Sequence, residues 1–197
     1  MVPLMVPPAN AASVATSAIA EGDKQLAQLK EQLQAPSISP STPTDLGDPG
    51  LWVTGDSVIL GIRFELDNRQ PIGLINARVG RQATELLEVI SNDKANMSNA
   101  TIVVNLGNNN KITEEQVAAI FEEIKDQPRI VVVNTAVPRP WRDENNALIA
   151  QYASLYGAYL VDWAAISQGR SEYFGPDGVH LVPAGVRAYV DAITAQL

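Results

Sequence analysis

Two stretches of this chain, Thr101–Leu106 (TIVVNL) and Arg129–Asn134 (RIVVVN), are apolar at nearly every position and dominated by β-branched side chains. A strand with one wet face alternates apolar and polar residues, because successive side chains point to opposite sides. A strand without that alternation must be covered on both faces, and helices on both sides of a parallel sheet provide the cover. Leu51–Thr54, Ile72–Ala77 and Tyr159–Asp162 read as further strands. Helical patterns follow over Val58–Leu66, Arg81–Ser91, Glu114–Lys125, Asp143–Tyr156 and Ala184–Gln196. Five strand–helix units of this spacing predict a doubly wound α/β sheet.

The repeat begins only at residue 51. All aromatic residues lie beyond Gly50, the first being Trp52, whereas seven of the 13 prolines fall within the first 50 residues. A proline-broken segment without large apolar side chains does not build a core, so 1–50 is read as an appendage and 51–197 as the folded domain. Within the appendage, Ile19, Leu26, Leu29 and Leu33 predict a helix over 11–35, ended by Pro36; it packs on the domain, pairs with a partner or frays. Residues 36–50 have the composition of a linker. Residues 1–20 carry no charge and lack a basic start, a poor match to a signal peptide or a whole membrane span. They fit a chain cut just outside a membrane segment.

Composition narrows the chemistry. With 14 basic against 22 acidic residues and a formal net charge of −8, a nucleic-acid partner held by phosphate neutralisation is not expected. No cysteine and a single histidine rule out zinc fingers, iron–sulfur clusters and disulfide frameworks, and no metal or other cofactor is called for.

In sheets of this kind ligands bind beyond the carboxyl ends of the strands. The residues there are Gly55-Asp56-Ser57, Arg78-Val79-Gly80-Arg81-Gln82, Gly107-Asn108-Asn109-Asn110 and Ala136-Val137-Pro138-Arg139-Pro140-Trp141, with Pro176-Asp177-Gly178-Val179-His180 ahead of the last helix. Ser57 stands where a strand turns into a helix. It is either the helix cap or a hydroxyl beside free helix N–H groups. His180 follows Asp177 by three positions on a Gly/Pro-bounded loop. That pair either packs near a helix start or supplies a general base with the carboxylate that fixes its tautomer, which is what a serine nucleophile requires. Asp56 reads as structural, a carboxylate capping a helix.

Taken together, Ser57, Gly80, Asn109 and the Asp177-x-x-His180 unit match the block pattern of the SGNH (GDSL-like) hydrolases, a resemblance that covers residues 51–197. It implies a flavodoxin-like three-layer sandwich around a five-stranded parallel sheet, the SGNH hydrolase fold. It also implies roles: Ser57 as nucleophile, His180 as general base and Asp177 as its orienter. The backbone N–H groups of Ser57 and Gly80 and the side-chain amide of Asn109 would form an oxyanion hole, where each fixed donor typically contributes ~3–4 kcal/mol. Asn109 is chosen over its neighbours Asn108 and Asn110 by the family's Gly-x-Asn spacing from Gly107.

The sequence departs from the lipase-like members, with Gly-Asp-Ser-Val in place of Gly-Asp-Ser-Leu and Gly-Asn-Asn-Asn in place of Gly-x-Asn-Asp. Val79-Gly80-Arg81-Gln82 together with Val137-Pro138-Arg139-Pro140-Trp141 resembles the extracytoplasmic C-terminal SGNH domains of bacterial cell-envelope (peptidoglycan-type) O-acetyltransferases. The resemblance implies an O-acetyltransferase domain that carries acetyl on Ser57 to a hydroxyl of an envelope glycan or glycolipid. The acetyl donor would be relayed from a membrane acyltransferase domain of the full-length protein. Residual esterase activity is expected, and the domain would lie outside the cytoplasm, membrane-tethered in the full-length protein. The alternatives are an SGNH carbohydrate esterase that hydrolyses O-acyl esters, and a silent binding module that keeps the fold. Arg81, Gln82, Arg139 and Trp141 are the candidate acceptor contacts, since Trp stacks on sugar faces and Arg grips carboxylates and hydroxyls. Against that, Arg81 would serve a helix start and Trp141 the core. Two sequons, at Asn96 and Asn99, are explained by turn chemistry alone.

Overall fold

The apolar runs become strands covered on both faces. The computed structural model describes residues 49–197; the helix expected over 11–35, and all but the last two positions of the linker, lie outside the described residues. Strands β1 (Leu51–Gly55), β2 (Ile72–Ala77), β3 (Thr101–Asn105), β4 (Arg129–Val133) and β5 (Tyr159–Val161) form one sheet in the order β2-β1-β3-β4-β5. Every pairing is parallel. This is the flavodoxin-like order expected above.

Register decides which side chains meet. Val53, Val103 and Val131 stand side by side on β1, β3 and β4, and Trp52, Ile102 and Ile130 do the same one position earlier. The first row belongs to the core beneath helices α1 (Ser57–Asp67), α5 (Trp163–Ile166) and α6 (Pro183–Thr194). The second belongs to the core beneath α2 (Ala83–Asp93), α3 (Glu114–Ile124) and α4 (Arg142–Leu155). Two cores back to back on one sheet explain the missing alternation in β3 and β4. Burying one such aliphatic side chain contributes about 1.5–3 kcal/mol before conformational entropy is counted.

The helix starts are set by local chemistry. Thr113 and Gln116 form a reciprocal capping box at α3, with Thr113 N donating to Gln116 Oε1 at 3.0 Å and Gln116 N to Thr113 Oγ1 at 3.3 Å. The helix expected from Arg81 begins at Ala83 instead. Gly80, at φ +71°, and a bond from Arg81 N to Arg78 O (3.2 Å) close a turn first, and Gln82 becomes the cap. The last helix begins one residue before the expected Ala184, at Pro183, which lacks the N–H that position leaves unused. The four-residue α5 was not expected at all. Among the described residues no helix is long and apolar enough to cross a membrane.

Strand order reverses direction between β1 and β3, and a crevice at the carboxyl ends of those two strands is the general consequence. The turns carrying Ser57 and Asn109 leave the sheet at that point.

Candidate active site

Asp56 is the residue that caps α1. Its Oδ1 accepts the Val58 N–H at 2.9 Å, which makes Ser57 the first helical residue and settles the choice between cap and exposed hydroxyl against the cap. Position N1 leaves a backbone N–H with no intrahelical acceptor. Among the described residues neither the Ser57 N–H nor the Gly80 N–H has a hydrogen-bond acceptor. The Gly80 turn lies against the end of β1, since Arg78 N donates to Gly55 O at 3.4 Å.

His180 reaches this point from 123 positions away along the chain: its Nε2 lies 3.0 Å from Ser57 Oγ. Its Nδ1 lies 2.5 Å from Asp177 Oδ2. The other oxygen of Asp177 accepts the backbone N–H groups of Val179 (2.9 Å) and His180 (3.0 Å), which locks the carboxylate onto its own loop. These bonds hold the Asp177 carboxyl down at about 2, the imidazole hydrogen bond being the largest cause and the Val179 N–H the next.

The loop is itself anchored at its base. Phe174 and Leu181 form an antiparallel bridge, Gly175 N donates to His180 O at 2.7 Å, and Val182 N donates to Tyr173 O at 3.0 Å. A 3₁₀ turn at Ser171–Tyr173 leads into it. Trp163 packs edge-on against Tyr189 (4.8 Å between ring centroids) and stacks on Tyr173 (5.8 Å). The start of α6 comes so close that a Cβ on Gly185 would lie 2.1 Å from Tyr173 O. Helix α6 and the aromatic cluster therefore fix where His180 sits.

Beyond β3 the side chains are organised around Asp56. Its Oδ2 accepts Asn108 Nδ2 and Asn109 Nδ2, each at 2.9 Å. Asn109 Nδ2 also donates to Arg81 O at 3.2 Å. Asn108 donates further to Asn105 Oδ1 (2.7 Å) and accepts from Thr135 Oγ1, so the ends of β1, β3 and β4 are joined through side chains. Burial pushes the Asp56 carboxyl above the ordinary aspartate value, against the Val58 and Asn108 hydrogen bonds and the nearby charges of His180 and Arg81.

The four candidate acceptor contacts part company. Arg81 is buried, and its guanidinium bonds Asn76 O (2.5 Å), Asn76 Oδ1 (2.8 Å) and Gly55 O (3.3 Å). Those bonds make it a strut between β1 and β2. Gln82 is exposed, its backbone N–H taken by Glu85 Oε2 at 2.9 Å. Arg139 is exposed on the turn after β4. Trp141 is half-buried and its indole N–H donates to Gly107 O at 3.2 Å, beside the Asn109 turn.

The His180–Asp177 pair lies open to solvent, with 56% of the His180 side chain and 51% of the Asp177 side chain exposed. A cleft of about 610 Å³ runs past the ends of β4 and β5, between Asn146 of α4 and Ala165 of α5, and none of its walls is Ser57, Asp177 or His180. Sequence reasoning did not find Thr135, Asn145 or Trp163. Nothing in their local pattern marks them, because each acts through partners far along the chain.

No model of a known protein family matches the chain. The chain is 39% identical over 142 residues to the peptidoglycan O-acetyltransferase OatA of Listeria monocytogenes, an alignment covering 72% of this chain and 23% of that protein. It thus spans about a quarter of that relative's length. Among solved structures, the C-terminal catalytic domain of Streptococcus pneumoniae peptidoglycan O-acetyltransferase A superposes with a TM-score of 0.61 at 22% identity, covering 76% of this chain and 93% of that one. A GDSL-like lipase from Bacteroides thetaiotaomicron gives 0.59 at 19% identity, covering 74% and 85%. The all-parallel sheet, its strand order and these similarities together identify the fold as that of the SGNH (GDSL-like) hydrolases, with sequence homology to a segment of a peptidoglycan O-acetyltransferase.

Proposed function

We propose that this chain is the acyl-transferring domain of a cell-envelope O-acetyltransferase, working through an acetyl-enzyme on Ser57. The observation that carries this reading is the continuous line from Asp177 Oδ2 to His180 Nδ1 (2.5 Å) and from His180 Nε2 to Ser57 Oγ (3.0 Å). Asp177, fully ionised at neutral pH, keeps the proton on Nδ1 and leaves Nε2 to accept.

In the first half-reaction Ser57 Oγ attacks the acetyl carbonyl carbon of the donor as His180 Nε2 takes the hydroxyl proton. The bond from that carbon to the donor oxygen breaks, and the departing oxygen takes the proton from His180. In the second half an acceptor hydroxyl gives its proton to Nε2 and attacks the same carbon, and Ser57 Oγ leaves with the proton. Both halves pass through a tetrahedral oxyanion. The free N–H groups of Ser57 and Gly80, with the Asn109 amide, are the donors for it.

The exposed rim suits a long glycan, which cannot enter a closed pocket, and the Listeria monocytogenes relative is a peptidoglycan O-acetyltransferase. An envelope glycan or a glycolipid is therefore the acceptor class. The acetyl donor is relayed from a membrane acyltransferase domain of a longer protein, outside the cytoplasm. Simple ester hydrolysis is the second reading, and the half-exposed His180 favours it by admitting water to the acetyl-enzyme.

Partitioning separates the two. With an acetyl ester as donor, adding peptidoglycan fragments is expected to lower free acetate and raise O-acetylated glycan by matching amounts. Unchanged acetate release with every envelope acceptor would leave only the esterase.

A further inference from the structure

Asp56 stands beside the nucleophile but outside the proton relay, and its bonding exceeds what a cap needs. One oxygen suffices to cap α1, and asparagine, serine or threonine would provide it without burying a charge. Here a carboxylate only 3% exposed receives three donors: Val58 N on Oδ1, and the side-chain amides of Asn108 and Asn109 on Oδ2, all at 2.9 Å. Only a group that accepts on both oxygens and donates nothing satisfies that arrangement. An amide at 56 would turn an NH₂ towards donors on one side or the other.

The Asn109 carboxamide shows what the second oxygen is for. Its nitrogen carries two hydrogens. In this structure one goes to Asp56 Oδ2 and the other to the Arg81 carbonyl, at a longer 3.2 Å. An amide that is to meet an oxyanion must release one of them. A hydrogen bond to a carboxylate is about twice as strong as one to a neutral carbonyl, so the Arg81 bond is the one given up.

The carboxylate is itself held from outside α1. Asn108 is fixed by Asn105 Oδ1 (2.7 Å) and by the Thr135 hydroxyl, which in turn accepts Val137 N at 3.3 Å. A polar chain thus runs from the turn after β4, across the end of β3, to the residue that caps the nucleophile's helix.

We propose that Asp56 is a positioning residue: its Oδ2 retains one N–H of the Asn109 carboxamide so that the other is presented to the oxyanion, in fixed register with Ser57. The proposal rests on the Ser57 acetyl-enzyme reading, and its test separates the two. Asp56→Asn keeps a capping oxygen for Val58 but faces Asn109 with an NH₂. Asp56→Ser keeps a cap and is too short to replace Oδ2, so it carries the same test should the first variant fold poorly. Steady-state hydrolysis of an acetyl ester is measured well below the melting temperature for Asp56→Asn, Asn109→Ala and the double variant.

Each single variant is expected to lower kcat about 100-fold, with KM within about twofold, the size of effect seen when one oxyanion donor is lost. The double variant should fall no further than the worse single one. Ser57→Ala runs alongside. If Ser57→Ala retains activity, the acetyl-enzyme reading itself fails. If Ser57→Ala is inactive and the double variant shows the product of the two single losses, the acetyl-enzyme stands and the coupling of Asp56 to Asn109 is wrong.

Discussion

The indole N–H of Trp141 donates to the carbonyl of Gly107 at 3.2 Å, and Asn145, one turn further along α4, donates to the same oxygen at 3.0 Å. The turn that presents Asn109 is therefore held by α4 as well as by Asp56. Asn145 contributes more to this hold, since it also donates to Asn110 O (2.9 Å) and accepts Ile112 N (3.0 Å) while fully buried. Trp141→Phe should cost about 0.5–1.5 kcal/mol in urea unfolding, because Gly107 O keeps its second donor. Asn145→Ala strands several buried partners and should cost about 2–4 kcal/mol. Equal costs for the two would mean that the turn is not shared in this way.

Ser57 and His180 are expected to behave as one unit. Replacing either by alanine should lower p-nitrophenyl acetate hydrolysis by ~10³-fold or more, and replacing both should do little further harm. Intact mass should show acetyl on the parent protein and none on Ser57→Ala. Independent, multiplying losses would break the proposed proton relay.

The Asp177 carboxyl titrates at about 2 when folded, against an ordinary 3.8. A lowered carboxyl pKa stabilises the folded state fully above the unfolded value and progressively less as pH falls through the folded one. The melting-temperature difference between the parent protein and Asp177→Asn should therefore shrink as pH falls from about 4 towards 2. Because half of the side chain is exposed, the plateau will be small, and salt will reduce it. A loss of activity at mildly acid pH cannot come from Asp177, since it remains ionised there. A melting difference that did not shrink between pH 4 and pH 2 would contradict the low value.

Gly185→Ala tests how the loop that carries His180 is seated. Its new methyl would lie 2.1 Å from a backbone oxygen, that of Tyr173, which cannot swing aside as a flexible side chain would. The start of α6 and the base of the His180 loop must separate. Stability should fall by about 1–3 kcal/mol, and activity should fall by more than stability alone explains. Urea unfolding paired with ester hydrolysis reads both. Full activity would show that His180 is placed without α6.

The sheet was legible because burial on both faces leaves a mark on consecutive residues: Ile102, Val103 and Val104 must all be apolar, and so must Ile130, Val131 and Val132. Motif and spacing singled out Ser57, His180 and Asp177, and the structure brings their side chains within hydrogen-bond reach of one another. For Arg81 a contact role and a structural one were both open, and here two carbonyls and an amide oxygen hold it beneath the rim, bonds that no local pattern announces. Ser57 alone could be read as the cap or as a free hydroxyl, and the bond from Val58 N to Asp56 gives the cap to Asp56, as its place at the helix start suggested. The polar chain through Asn105, Asn108 and Thr135 was hidden for a deeper reason. Polar residues at or just past a strand end carry no local mark of burial, and theirs follows from three strands ending side by side.

Helix α6 leaves the rim that carries His180 at Pro183 and runs back along the sheet, and Gln196 O ends up bonded to Arg129, the first residue of β4, at 2.8 Å. The chain also enters the sheet at Leu51, at the same far edge. Both handles by which this domain can be grafted to something else thus emerge opposite the chemistry. A bead, a dye or a fused partner attached at either one leaves Ser57 facing outward, like a tool gripped by its shaft with the working edge clear.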